Sequence, residues 1–469
     1  MSPALIRIVR PAWRWGAACA AAWLSWAPCA SAARPAADPA VGKAAYDQHC
    51  ARCHGATGKG DGYYGKRLYP KPRDLTAGVF KFRSTASGTP PTDDDLFQTV
   101  THGLNAGGMP DWPHLDDAIR WQLVAYLKTL SPAFTDQAPQ PVELGKDPGL
   151  AHADLKRGRQ LYDQLGCAAC HGASGRANGT SAAGLVDDWG QAIRPADLTR
   201  GWSYRGGSDP RAITTRILTG ISGAPMPSYA EAIKPDDAWQ FGYYVRSLQQ
   251  EPRWTMMAHV PQVAHVPSSL EDGAWETAQR VDLRMRVVAN AQGEVTAPLT
   301  VAAVSVWAVA DAQHLAVRLQ WHDPSEDRGE SSDAIALALR PAGVLGDRVS
   351  LQYWPLRDAP PLDLCVWSAW HDDRAIEGVV QRYEPLFAPA ASGLSLPTRA
   401  RYDDGVWTVM LTRPLEPSQP AGGARLTAER FSPVAVVVWD GGNAGQRAVS
   451  GWLDLMLGDE GAHTRGGSR

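Results

Sequence analysis

The pentapeptide Cys-x-x-Cys-His occurs twice, as Cys50-Ala-Arg-Cys53-His54 and Cys167-Ala-Ala-Cys170-His171. Each copy is followed, 55 residues beyond its histidine, by a Met-Pro pair, Met109-Pro110 and Met226-Pro227. C-x-x-C-H is the attachment sequence for c-type haem. Its spacing puts both thiols on one side of a helical turn, about 5–6 Å apart, where they can bond to one porphyrin. The adjacent imidazole then reaches iron from one face, and a thioether from a later loop supplies the sixth ligand and raises the reduction potential. A lone C-x-x-C would serve equally as a redox dithiol or half a zinc site, and a lone Met is usually core filler. A histidine in both copies and a methionine at matched spacing select haem. His102 and His114 offer rival imidazoles beside Met109, where the matched spacing favours the methionine; no histidine lies close to Met226.

Laying residues 42–131 over 158–249 reveals a duplication with a period near 117. Gly42-Lys43-Ala44-Ala45-Tyr46-Asp47-Gln48 answers to Gly158-Arg159-Gln160-Leu161-Tyr162-Asp163-Gln164, and Asp74-Leu75-Thr76 to Asp197-Leu198-Thr199. Trp121 with Tyr126 answers to Trp239 with Tyr244. Each copy reads as a helix leading into the haem motif, then Gly- and Pro-rich loops, then a closing helix over 116–130 or 235–249 with apolar residues at helical spacing. Haem would supply much of the core that about 100 residues struggle to build alone. The four prolines between Ser131 and Pro148 mark a linker. A second linker runs from Glu251 to about Pro267, where His259 and His265 read as solvated residues more readily than as metal ligands.

From about residue 268 the period changes from 3.6 to 2. Residues 299–307, 314–321, 406–411 and 431–439 are alternating, β-branched and aromatic. The expected fold class is multidomain: two all-α domains over 33–135 and 148–252, then an all-β antiparallel sandwich over 268–460 with Trp and Tyr in its core. A length of 469 residues accords with three domains.

Residues 1–32 combine Arg7, Arg10 and Arg14, an apolar stretch from Trp15 to Trp26, and the small run Ala30-Ser31-Ala32, which reads as a secretory signal peptide cut near Ala32. A retained anchor is the alternative, but the stretch falls short of the roughly 20 apolar residues of a spanning helix, and no later segment approaches that length. Without the leader the chain keeps 43 basic and 49 acidic residues, a formal −6, which argues against nucleic acid as a partner. Of seven cysteines, Cys19 and Cys29 leave with the leader and four attach haem; Cys365 reads as a buried apolar group. Haem attachment by this motif takes place outside the bacterial cytoplasm, so leader and motif both point to the periplasm.

Residues 40–250 resemble class I cytochrome c domains. In the first copy, Pro72-Arg73-Asp74-Leu75-Thr76 and Phe80-Lys81-Phe82-Arg83-Ser84 are similar to stretches in cytochrome c subunits of periplasmic molybdopterin oxidoreductases. There Arg73 or Arg83 either holds a haem propionate or is a solvated surface arginine. The last domain is similar to the haem-binding γ subunits of the dimethyl-sulfoxide-reductase superfamily, such as those of ethylbenzene dehydrogenase and chlorate or selenate reductases. Asp404-Gly405-Val406-Trp407-Thr408-Val409, Arg413-Pro414-Leu415, Trp439-Asp440-Gly441 and Ala448-Val449-Ser450-Gly451-Trp452 carry that resemblance. It implies a b-type haem between a Met and a Lys. Here residues 353–358 contain no Met, and Arg447, a very poor iron ligand, stands in place of the Lys. A third haem is therefore doubtful. His322, His371 and Met285 are candidate replacement ligands, each read first as structural, and without haem the sandwich would be a docking module.

Two Met/His haems leave no vacant iron position, so the leading expectation is a periplasmic dihaem electron-transfer protein and not an enzyme. By resemblance its partner is a molybdopterin oxidoreductase with an iron–sulfur subunit, linked to a soluble cytochrome or quinol system. Two other readings stand beside it. One haem would act on a small inorganic substrate, which requires an open site or an unusual ligand such as Cys. Alternatively the sandwich would bind carbohydrate or polymer, with Tyr353, Trp354, Trp367 and Trp370 as a stacking platform.

Overall fold

The computed structural model describes residues 34–104, 108–290, 293–341, 351, 360–371, 374–380, 394–417, 423–427, 431–443 and 446–458. The expected signal peptide, and Tyr353 and Trp354, lie outside the described residues. No helix among the described residues is long and apolar enough to cross a membrane.

The first repeat opens with α1 (Pro39–His49), whose start is fixed by the Asp38 side chain accepting from the amides of Ala40 and Val41. It runs into α2 (Ala51–His54), then α3 (Asp93–His102), α4 (Asp117–Thr129) and α5 (Ala133–Asp136). The second repeat follows with α6 (Leu155–Gln164), α7 (Ala168–His171), α8 (Pro210–Thr219) and α9 (Pro235–Leu248). The closing helices α4 and α9 fall where their periodicity predicts. By contrast, α3 and α8 occupy stretches expected to be loops. Each has only 10 residues and is defined by its caps: a Thr92–Asp95 capping box in one, Asp209 with Pro210 in the other. A helix of 10 residues between Gly-rich loops is shorter than the stretch over which a helical period is ordinarily read.

In each repeat a glycine lets the first helix cross the last. A Cβ on Gly42 would lie 1.9 Å from the Gln122 carbonyl oxygen, and one on Gly158 would lie 2.3 Å from that of Gln240. Behind these crossings pack Tyr46, Leu123 and Tyr126 in one repeat and Tyr162, Phe241 and Tyr244 in the other. The stretch read as a linker, 131–148, is bonded to both. Ala86 N donates to Gln140 O at 2.8 Å and Val142 N to Ser84 O at 2.9 Å, while Trp239 Nε1 donates to Leu144 O at 2.6 Å.

Twelve strands are described: β1 (Met257–Val260), β2 (Val281–Val287), β3 (Ala303–Ala310), β4 (His314–His322), β5 (Ala334–Leu339), β6 (Leu362–Ser368), β7 (Arg374–Val380), β8 (Leu394–Asp403), β9 (Val406–Pro414), β10 (Ser432–Asp440), β11 (Gln446–Ser450) and β12 (Leu453–Leu457). Pairing runs from β10 through β11, β2, β3, β4, β9, β8, β7 and β6 to β5, which returns to β10 and closes the circuit. β12 joins the other half of β10 and carries β1 in parallel, the exception to an otherwise antiparallel pattern. The expected sandwich is thus an antiparallel β domain whose layers are joined at their edges.

Its core holds Trp321, Trp367 and Trp407, each fully buried, with ring centroids 5.0–6.2 Å apart. Trp367 therefore belongs to the core and not to an exposed stacking platform, whereas Trp370 is 41% exposed. The strand expected over 299–307 begins at Ala303, later than its alternation suggests. The second supposed linker contains β1, which places His259 in a strand between buried Ala258 and Val260. Four residues are too few for alternation to show.

Candidate haem sites

Tyr46 and Tyr162, both fully buried, turn their hydroxyls to the carbonyls of Gly55 and Gly172, at 2.7 and 2.5 Å. These bonds tie the first helix of each repeat to the residue after its haem motif. One helical turn closes each motif, with His54 N donating to Cys50 O at 3.0 Å and His171 N to Cys167 O at 2.9 Å. All four motif cysteines are half-buried.

Each motif histidine presents Nδ1 to a backbone carbonyl, Arg73 O at 3.2 Å and Ala196 O at 2.9 Å. That contact places the ring proton on Nδ1 and leaves Nε2 with a lone pair for a metal. Burial holds both imidazoles below their ordinary pKa, which keeps them neutral at pH 7.

The methionine loops also match. Gly103 and Gly220 follow α3 and α8 with φ of 63° and 65°, a conformation that glycine adopts without strain. Leu104 N then donates to Met109 O, and Ile221 N to Met226 O, both at 3.0 Å. Met109 and Met226 are half-buried, while His102 and His114 are exposed. Two thiols, an imidazole with a free Nε2 and a matched thioether in each repeat form a donor set that fits c-type haem.

The two arginines singled out in the first copy both lie against the second repeat. Arg73 stacks on Trp189, 3.8 Å from the ring centroid, and pairs with Asp187 at 3.9 Å. Arg83 is 2% exposed and donates through Nη2 to Thr219 O at 3.0 Å. Neither is a solvated surface residue. Of the two, Arg83 keeps a buried Nη1 without a hydrogen-bond partner, a donor suited to a carboxylate.

On its other side the second repeat meets the β domain. Asp197, next to Ala196, faces His322 Nδ1 at 2.5 Å and Arg200 at 3.5 Å. Burial works to raise Asp197, but the hydrogen bond from His322 and the charge of Arg200 prevail and hold it down at about 2. His322 is itself lowered by burial and by Arg200, so near pH 7 a neutral imidazole donates Nδ1–H to a carboxylate. Arg176 and Asn178 add contacts to Asp404, at 2.7 and 3.2 Å. Among the candidate ligands for a third haem, His322 is thus engaged by Asp197. Met285 is buried in the β core, and His371 stacks on Trp370. The Asp-Leu-Thr repeat made Asp197 visible in the sequence, but nothing there paired it with His322.

Residues 37–127 match the family described as cytochrome C oxidase, cbb3-type, subunit III, and residues 155–249 match the family described as cytochrome c. The chain is similar to the cbb3-type cytochrome c oxidase subunit FixP of Azorhizobium caulinodans, 27% identical over 222 residues, covering 45% of this chain and 59% of that relative. Among solved structures it is similar to a chain of the Kuenenia stuttgartiensis reducing HAO-like protein complex, with 39% identity over 45% of this chain and 96% of that one and a TM-score of 0.43. It is also similar to a family 9 carbohydrate-binding module from Caldicellulosiruptor kristjanssonii in complex with cellotriose, with 10% identity over 44% and 96% of the chains and a TM-score of 0.28, a likeness too slight to carry a function. The chain carries two cytochrome c domains and, with them, two covalently bound haem c groups.

Proposed function

We propose that this chain is a periplasmic dihaem electron-transfer protein in which Cys50, Cys53, His54 and Met109 hold one haem and Cys167, Cys170, His171 and Met226 hold the other. The observation that carries this reading is the agreement of two copies in their local geometry. Both histidines give Nδ1 to a carbonyl, and both methionine carbonyls accept an amide at 3.0 Å. Haem c supplies one-electron chemistry when bound. The carbonyl contacts orient each imidazole, the loop bonds fix each methionine, and Arg83 Nη1 offers a donor to a propionate. Met/His coordination leaves no position for substrate, which suits outer-sphere electron transfer. Contacts of Arg73 and Arg83 across the two repeats favour electron passage between haems held in one fixed arrangement.

The leader over 1–32, cut near Ala32, supports the periplasmic address. We assign the β domain as a docking module that resembles the γ subunits, and a molybdopterin oxidoreductase with an iron–sulfur subunit as the partner. That FixP is named as a subunit of an oxidase supports a role within a larger redox complex.

A pyridine haemochrome spectrum of the purified protein is expected to give two c-type haems and no b-type. Rapid carbon monoxide binding by the reduced protein at neutral pH would overturn closed coordination. Purification of the native complex followed by elemental analysis tests the partner: molybdenum in the complex supports the assignment, and a stable redox complex without it removes it.

A further inference from the structure

Four carboxylates converge at one end of the β domain, at the mouth of the loop between β4 and β5. Asp323 follows β4, Asp327 lies within the loop, Asp333 precedes β5, and Asp440 ends β10; one oxygen of each lies within 4.8 Å of the others. Asp323 and Asp333 have no exposed surface, and Asp440 has 2%. Protein donors satisfy only part of the cluster. Asp333 accepts from Gly441 N, Asp327 N and Trp407 Nε1, each at 2.9 Å, and Thr300 donates to Asp440. Asp323 Oδ2 is buried and has no hydrogen-bond partner, and the same holds for Asp440 Oδ1.

A buried carboxylate oxygen with neither a donor nor a cation is costly, and three further carboxylates beside it raise that cost. Arg194 of the second cytochrome c repeat offsets part of the charge at Asp440. Burial, together with the neighbouring carboxylates, drives Asp323 and Asp440 above the ordinary carboxylate range.

We infer that Asp323, Asp327, Asp333 and Asp440 form a binding site for a hard divalent cation, calcium, that fixes the edge of the β domain facing the second cytochrome c repeat. The donors are all oxygen, with no His or Cys among them, which excludes soft-metal preference. Several anionic side chains in a largely buried site, with Asp327 partly exposed, suit calcium better than magnesium, which keeps most of its waters. The location gives the cation a purpose. Asp323 is adjacent to His322, the partner of Asp197, and its amide donates to the carbonyl of Gly405, beside Asp404, the partner of Arg176. The four ligands all belong to the β domain, and the inference stands whether or not the haem assignments do.

The test uses the full holoprotein. After desalting from calcium-containing buffer, elemental analysis is expected to give about one equivalent of calcium per chain. Chelation should lower the melting temperature by several degrees, and calcium chloride, but not equimolar magnesium chloride, should restore it. In Asp323→Asn/Asp440→Asn that response should vanish. Absence of retained calcium together with a melting temperature indifferent to chelator and calcium would overturn the inference. So would a double variant more stable than the wild type in chelator and calcium alike, since that is the behaviour of a cluster relieved of repulsion. Should the variant fail to fold, the wild-type calcium content and melting shift decide.

Discussion

At Met226 the thioether is held by a loop whose own bond, Ile221 N to Met226 O at 3.0 Å, does not involve its side chain. Met226→Ala should therefore leave the loop in place and open one iron, so that the reduced variant binds carbon monoxide at one haem. On the proposed ligand set the potential of that haem should fall, because a Met ligand raises it; a redox titration reads both haems separately. A different residue governs the β domain. Arg413, 2% exposed, lies 2.8 Å from Glu377 and 3.6 Å from Asp363, with buried Cys365 in the same cluster. Cys365 is thus buried as expected, but among charges and not in a purely apolar setting. Arg413→Ala strands those carboxyl groups and should cost about 3–5 kcal/mol, read as a fall in melting temperature of the β domain, whereas Glu377→Gln should cost much less.

Close helix crossings hold each cytochrome c repeat together. Gly158 lets α6 approach α9 so closely that any β-carbon must displace the Gln240 carbonyl or Tyr244. Gly158→Val should separate those helices and destabilise the repeat by more than the roughly 1–3 kcal/mol typical of overpacking, because backbone and not a flexible side chain is in the way. Calorimetry of the holoprotein is expected to show the second cytochrome transition falling while the β domain is unchanged. The crossings also explain why the terminal helices were legible. Their apolar faces bury against each other over 13 and 14 residues, so periodicity is readable in the sequence, while α3 and α8 bury apolar residues such as Val100 and Ile217 within only 10 residues each.

For the molecule as a whole, charged contacts join the second cytochrome c repeat to the β domain. Asp197 is held at about 2 in the fold, against an ordinary value of 3.8. A depressed carboxylate stabilises the fold above its ordinary value, and that contribution disappears as pH falls from about 4 towards 2. Between these limits the wild type should lose stability faster than Asp197→Asn, which lacks this contribution at every pH; melting temperatures of the two across pH 2–5 test it.

The ligand set proposed for the two haems is written locally in the sequence. Two C-x-x-C-H motifs, the matched Met109 and Met226, and the 117-residue period depend on spacing within one chain segment, and spacing is what a sequence records. The alternation of β-branched and aromatic residues likewise announced an antiparallel β domain with tryptophans inside. Which partners those residues meet was not legible. Arg83 against Thr219, Asp197 against His322, and Asp323 against Asp440 are each separated by more than 100 residues, and no local period links them. Closure of β5 onto β10 brings the β4–β5 loop to the end of β10, and docking of the second repeat places Asp197 against β4. The sequence thus determined which groups could bind haem, through covalent spacing; tertiary folding alone decided which charges are buried together, because burial and pairing arise only when distant segments exclude water from one another.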